Sequence, residues 1–164
     1  MKIKGKPLLL VLPTLLFFLA TSLASPSDSS LQGKKRDAVI ATALSLLGQS
    51  YEFGGNGEGG FDCSGFVMYV YQKNGIPMAR TTKRQFHGGN LIQKTSIKPG
   101  DLVFFTITGD SISHVGIYLG AEKFIHAPRK GKNIEVSSLA NSYWKEHFAG
   151  AVTYIEEKKG TYKI

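Results

Sequence analysis

The single cysteine of this 164-residue chain, Cys63, lies in the run Phe61-Asp62-Cys63-Ser64-Gly65. A thiol is a weak nucleophile until a base takes its proton, and the base needs a group to orient it. Four histidines are available. His87 follows a polar stretch, and His147 lies beside charged residues in Trp144-Lys145-Glu146-His147-Phe148. The other two sit in strand-like runs. His114 opens His114-Val115-Gly116-Ile117-Tyr118-Leu119, and His126 closes Lys123-Phe124-Ile125-His126. Gly120-Ala121-Glu122 reads as the hairpin connection between them, so antiparallel pairing brings the start of one strand beside the end of the other. One imidazole can then face Cys63 while the second orients the first. The same three side chains are also candidates for a metal site, although the chain has no close ligand pair such as C-x-x-C or H-x-x-x-H. Each has a structural reading as well. A buried cysteine can be a small hydrophobe, and a strand-end histidine can be a hydrogen-bonded surface residue.

The elements that would position these groups can be read from pattern. Cys63 follows a loop with five glycines in residues 54–60, whose backbone can approach a ligand or another segment closely. It opens an apolar run at 63–74, with Phe66, Val67, Val70 and Tyr71 at helical spacing and Gly75 just past the end. A helix start favours the thiolate. Asp62 can cap that helix, and its charge should point away from the sulfur, since it would otherwise oppose thiolate formation. Upstream, residues 36–47 carry Val39, Ile40, Ala43, Leu44 and Leu47, a second helix with one buried stripe. Residues 79–98 are polar and basic with weak period and read mostly as loop. After the Pro99-Gly100 turn come strand candidates at 101–106, 114–119, 123–126, 133–136 and 149–155, interrupted by a brief helix at 139–146. Helices first and strands later predict an α+β fold, with the Cys63 helix packed on an antiparallel sheet of about five strands.

Residues 1–24 have the layout of a signal peptide: Lys2, Lys4 and Lys6, an apolar stretch at 8–20, and small residues in Ser22-Leu23-Ala24. The alternative is an uncleaved anchor, but the apolar stretch is short of the roughly 20 residues a spanning helix needs. No cysteine lies near the cleavage site to take a lipid. Removal of the three lysines would leave 17 basic against 12 acidic residues, a net of +5. Residues 25–35 read as a flexible leader, 36–155 as one domain, and 156–164 as a charged tail. Positive charge suits an anionic surface such as a cell wall, and serves equally as a solvated face. Export and the absence of basic runs interleaved with aromatics argue against nucleic acid. No stable membrane anchor remains after signal cleavage.

Five motifs in order resemble those of the NlpC-type cell-wall cysteine peptidases. They are Tyr51-Glu52-Phe53-Gly54-Gly55, Phe61-Asp62-Cys63-Ser64-Gly65-Phe66-Val67, Pro99-Gly100-Asp101-Leu102-Val103-Phe104-Phe105, His114-Val115-Gly116-Ile117-Tyr118-Leu119-Gly120 and Phe124-Ile125-His126-Ala127. The resemblance covers nearly all of residues 36–155. It implies a papain-like fold and hydrolysis of peptidoglycan stem peptides, usually at the bond between γ-linked D-glutamate and the following diamino acid. On the matched positions it implies Cys63 as nucleophile, His114 as general base and His126 as the polar third member. Tyr51 would help bind the oxyanion, with core packing as its alternative. Asp62 and Ser64 would contact the substrate's amine end. Arg80, in Ala79-Arg80-Thr81-Thr82, would hold a stem-peptide carboxylate, with a solvent-facing loop arginine as its alternative. No metal or organic cofactor is implied, and the enzyme is expected to act as a monomer. The glycine content of residues 56–60, Ala79 in place of the more usual proline, and the length of 108–113 depart from the pattern and bear on groove shape. An N-acetylmuramoyl-L-alanine amidase, a lipid acyltransferase, a toxin aimed at rival walls and a non-catalytic wall-binding relic are the competing readings.

Overall fold

The computed structural model describes residues 28–155. The signal-peptide reading, the first leader residues and the charged tail lie outside them. In chain order the elements are α1 (Asp28–Ser45), β1 (Asn56–Gly57), β2 (Gly60–Phe61), α2 (Cys63–Lys73), α3 (Thr82–Gly88), β3 (Asn90–Ile92), β4 (Leu102–Phe105), β5 (His114–Gly120), β6 (Lys123–His126), β7 (Glu135–Ser138), α4 (Ser142–Glu146) and β8 (Phe148–Thr153). One short 3₁₀ turn, Lys94–Ser96, precedes β4. Helices pack on an antiparallel sheet, as the sequence predicts. Among the described residues no helix is long and apolar enough to cross a membrane.

Several boundaries differ from the sequence reading. Residues 28–35, expected as flexible leader, form the opening turns of α1. Most of them are exposed, so they leave no hydrophobic period, and extending a helix already nucleated against the core costs little. The buried residues here are Val39 and Ala43 of α1 and Leu46 just past its end, while Leu44 and Leu47 are 44% and 52% exposed. The run 39–47 is so apolar that periodicity alone picks the wrong edge of the stripe. The polar stretch at 79–98 contains α3 and β3. The buried residues of α3 are Thr82 and Gln85, which give no hydrophobic signal. β3 is a short edge strand with little burial on either face. β7 begins two residues later than expected, and Leu139 is a buried plug before α4 rather than part of it.

The main sheet has six strands, one more than expected, in the order β3-β8-β4-β5-β6-β7. On one face Leu102, Phe104, Val115, Ile117, Ile125 and Val152 pack against Val39, Ala43, Val67 and Val70 of the two long helices. On the other, Val103, Phe105, Phe124, Leu139 and Ala151 form a second core with Trp144 and Phe148. Arg36 ties α1 to the sheet. Its guanidinium donates to Asp101 Oδ1 at 2.8 Å and to the Ile155 carbonyl at 3.0 Å. Asp101 Oδ2 in turn accepts from Lys98 N at 2.7 Å, and the Tyr71 hydroxyl donates to the Gly100 carbonyl. The Pro99-Gly100-Asp101 motif is thus the clamp between helices and sheet.

Candidate active site

Cys63 is the first residue of α2, and Asp62 caps it with extended backbone. Asp62 Oδ1 accepts from Gly65 N at 2.7 Å, satisfying a donor that a helix start leaves open. The glycine-rich loop docks on this cap. Asp62 N donates to the Gly55 carbonyl at 3.0 Å, and a Cβ on Gly65 would meet the same oxygen at 2.0 Å. Here the glycines serve close approach of one chain segment to another.

The Cys63 thiol is surrounded by weak donors. Its Sγ lies 3.8 Å from Thr82 Oγ1 on α3, and the backbone N–H groups of Ser64 and Val115 favour its thiolate. Burial outweighs them and pushes the thiol above its ordinary value, and the Asp62 charge adds to the rise. The helix start therefore does not yield a resting thiolate, contrary to the sequence expectation. Removing charge from water costs more than these donors return. Gln85 on α3 holds this region together from beneath, donating to the carbonyls of Ser64 at 2.9 Å and Ala79 at 2.8 Å.

Arg80 meets a carboxylate, but it is the protein's own. Its two terminal nitrogens donate to Asp62 Oδ1 at 3.0 Å and Oδ2 at 2.6 Å, and one also donates to Ser64 Oγ at 3.0 Å. Ser64 Oγ donates to Asp62 Oδ1 at 3.2 Å, and Gly54 N donates to Oδ2 at 3.1 Å. Five donors saturate this carboxylate. Hydrogen bonds from Arg80 and Gly65 hold Asp62 below its ordinary value despite partial burial.

The two strand histidines are joined directly. His114 Nε2 lies 2.8 Å from His126 Nδ1, and His126 Nε2 lies 3.1 Å from Ser137 Oγ on β7. The register explains the contact. Tyr118 pairs with Phe124, and strand alternation puts His114 and Gly116 on the face of Tyr118, and His126 on that of Phe124. Gly116 carries no side chain where His126 must pass: a Cβ there would lie 2.6 Å from Phe124 Cδ2 and 3.3 Å from His126 Cβ. The turn between the strands is the two-residue Ala121-Glu122, both at positive φ (48° and 57°), which fits a type I′ hairpin.

Trp144 stacks on the His114 ring with centroids 5.6 Å apart and meets His126 edge-on at 4.9 Å. This aromatic cover keeps water away. Burial lowers His114 to about 4, and burial with the neighbouring His114 lowers His126 to about 3. Both rings are neutral at pH 7. Their facing nitrogens are committed to each other rather than converging on a shared point, the opposite of a metal-ligand arrangement. Among the described residues no group of three or more His, Cys, Asp or Glu side chains is placed to hold a metal.

The Val115 N–H, next to His114, is where Cys63 meets β5, and no hydrogen bond joins the thiol to either imidazole. Tyr51 is half-buried against the core and close enough to feel the charges of Cys63 and Asp62. Burial raises its phenol, so it remains a hydroxyl donor. His147 Nδ1 is 2.8 Å from the Tyr143 carbonyl, and exposed His87 sits against Phe86. Thr82, Trp144 and Ser137 belong to the site but escaped the sequence reading. Only register or tertiary contact reveals Thr82 and Ser137, whereas Trp144, the sole tryptophan, carried a signal in its rarity.

A thiol at a helix start and two adjacent buried imidazoles, set on helices against an antiparallel sheet, fit a papain-like architecture. The NlpC/P60 family model matches residues 48–153, and the chain belongs to that family. It is 42% identical over 113 residues to the probable endopeptidase p60 of Listeria innocua, covering 69% of this chain and 24% of that protein. To the murein DD-endopeptidase MepH of Escherichia coli it is 42% identical over 137 residues, covering 79% of this chain and 49% of MepH. The chain thus spans half or less of the length of these relatives. The crystal structure of the NlpC/p60 domain of the peptidoglycan hydrolase SagA superposes with a TM-score of 0.64 at 36% identity, covering 72% of this chain and 97% of that domain.

Proposed function

We propose that this chain is an exported, monomeric cysteine peptidase that hydrolyses amide bonds in peptidoglycan stem peptides without a cofactor. One observation carries most of the weight. His114 Nε2 is occupied by His126, which leaves Nδ1 as the ring nitrogen for the thiol, on the strand whose Val115 N–H faces Sγ. Because Cys63 rests as a thiol and His114 as neutral imidazole, the ion pair forms only as attack proceeds. His114 Nδ1 takes the thiol proton while sulfur adds to the scissile carbonyl. The oxyanion is met by the Cys63 backbone N–H, which has no intrahelical acceptor, and by the Tyr51 hydroxyl. Collapse breaks the C–N bond, and His114 returns the proton to the leaving amine. Water, deprotonated by His114, then hydrolyses the thioester and restores the thiol. Arg80 acts here as a positioning residue that neutralises Asp62 beside the sulfur.

The bond proposed for cleavage joins γ-D-glutamate to the diamino acid. A second reading, hydrolysis of D,D-cross-links, has its own support: the match to MepH runs over 137 residues, well beyond the family-model span. Mass spectrometry of peptidoglycan digested with residues 25–164, beside the Cys63→Ala variant, separates them. Fragments ending at γ-D-glutamate in the first sample alone give the primary reading, and resolved cross-links give the second. Fragments broken between muramic acid and L-alanine would make the chain an amidase. Turnover by folded Cys63→Ala would overturn the mechanism, and no cleavage by the folded parent would favour the binding relic.

A further inference from the structure

We infer that Ser137 is a positioning residue of the catalytic array, holding the histidine pair in the one tautomeric state in which His114 can act as a base. The inference rests on the proposed chemistry for its catalytic meaning, and on geometry alone for its tautomers. A base must present a bare nitrogen to the thiol. With His114 Nε2 only 2.8 Å from His126 Nδ1, one of these two nitrogens donates and the other accepts. If His126 donates, His114 carries its proton on Nδ1, and in the proposed chemistry that nitrogen is then unable to take the thiol proton. If His114 donates, its Nδ1 is bare and the array is competent. In that state His126 must carry its proton on Nε2, the nitrogen 3.1 Å from Ser137 Oγ.

Ser137 therefore supplies the acceptor that the competent state requires. His126 is fully buried, so its Nε2–H without a partner would carry the cost of an unsatisfied buried donor. In the incompetent state the same nitrogen is a bare acceptor, which is tolerated more readily than an orphaned donor. Loss of the hydroxyl thus weighs on the competent state. The fold makes the contact by register. Ser137 pairs with Phe124 across β6–β7, and His126 stands two residues further along the same face, a diagonal neighbour within reach of a ring. When His114 becomes imidazolium during attack, the same chain of donors leads the positive charge through His126 to the Ser137 oxygen. The hydroxyl meets His126 Nε2 and not the thiol, so its effect should fall on turnover and not on binding.

The test compares Ser137→Thr with Ser137→Val, which match in shape and differ in the hydroxyl, beside Ser137→Ala. Histidine side-chain ¹⁵N–¹H correlation spectra read the tautomers whether or not the protein turns over substrate. The parent and Ser137→Thr should show His114 and His126 both protonated on Nε2. The Val and Ala variants should shift towards Nδ1–H at both rings. In hydrolysis of a soluble stem peptide, kcat should fall roughly ten- to a hundredfold in Val and Ala, with KM unchanged and recovery in Thr, the population shift expected from one lost buried hydrogen bond. Identical tautomers in Thr and Val, or a parent already protonated on Nδ1 at either ring, would overturn the inference. If the parent cleaves nothing yet shows the expected tautomers, the proposed function fails and the tautomer control by Ser137 stands.

Discussion

Gly116→Ala is the sharpest test of how the fold builds the site, because it adds one methyl group and removes nothing. That methyl would lie 2.6 Å from Phe124 Cδ2, 3.0 Å from the Ile125 carbonyl oxygen and 3.3 Å from His126 Cβ. Contact between carbons is comfortable at about 3.5–4.0 Å, so the overlap with the Phe124 ring is about 1 Å. Phe124 is fully buried, with ring centroids 5.0 Å from Phe105, 5.1 Å from Trp144 and 4.8 Å from His126. It cannot retreat without moving one of them. Overpacking of this kind costs about 1–3 kcal/mol, which for a domain of this size lowers Tm by roughly 4–12 °C. The functional cost should be larger in proportion. His126 is the softer neighbour, and its displacement breaks the 2.8 Å bond to His114. A 1 Å misplacement of a catalytic group costs on the order of a hundredfold in rate. Differential scanning calorimetry and stem-peptide hydrolysis on the same preparation should therefore give a folded protein with a modest Tm loss and a collapsed kcat. Wild-type kcat in a variant that has lost stability would refute the role assigned to Gly116. Unchanged Tm and kcat together would refute the packing argument itself.

Acidification should destabilise the protein early. Both histidines titrate below their ordinary 6.5, at about 4 and about 3. Between about 6.5 and those values the unfolded chain binds more protons, so stability falls as pH falls, by several kcal/mol in all. Asp62, also lowered, adds its loss at the acid end. Urea midpoints that stay flat from pH 7 to pH 4 would contradict this. The acid limb of kcat/KM should lie near 4 for the same reason, and Trp144→Ala, by admitting water to the pair, should move it towards 6.5; a limb already near 6.5 in the parent would count against the buried neutral base. Arg80→Ala should raise the thiol pKa by leaving Asp62 unneutralised, Asp62→Asn should lower it while keeping the cap, and the double variant should fall between. Iodoacetamide alkylation rates against pH report all three, and a thiol indifferent to both changes would remove Asp62 from the electrostatics of the site. Gly65→Ala should unseat the Gly55 loop, seen as rapid hydrogen exchange at Asp62 N; a protected amide in that variant would deny the close approach its importance.

The meeting of the two strand histidines was legible because hairpin geometry is short-range. His114 and His126 flank one connection, so their meeting followed from strand alternation and a turn. What escaped was the part decided at distance. α3 hides Thr82 and Gln85, polar residues buried for their hydrogen bonds, and hydrophobic patterning is blind to such a helix. Ser137 is found only through the register of a third strand. The ion pair of Arg80 with Asp62 joins residues 18 positions apart on different elements, so no local pattern announced it. The resting thiol shows the same limit in another form. Helix-start electrostatics can be inferred from a sequence, but the burial that outweighs them is a property of the packed whole.

The protonated state of Cys63 also governs how the protein ages. Peroxides and disulfides attack thiolate sulfur, and a thiol held above its ordinary value by burial offers little of it. Under the proposed mechanism, the sulfur would then stay out of reach of oxidants until His114 draws off its proton during attack. A chain with a single cysteine has no internal resolving thiol to reverse damage once it occurs. With the proposed export to an oxidising compartment, a slow resting thiol would protect the one sulfur that no second cysteine of this chain could restore.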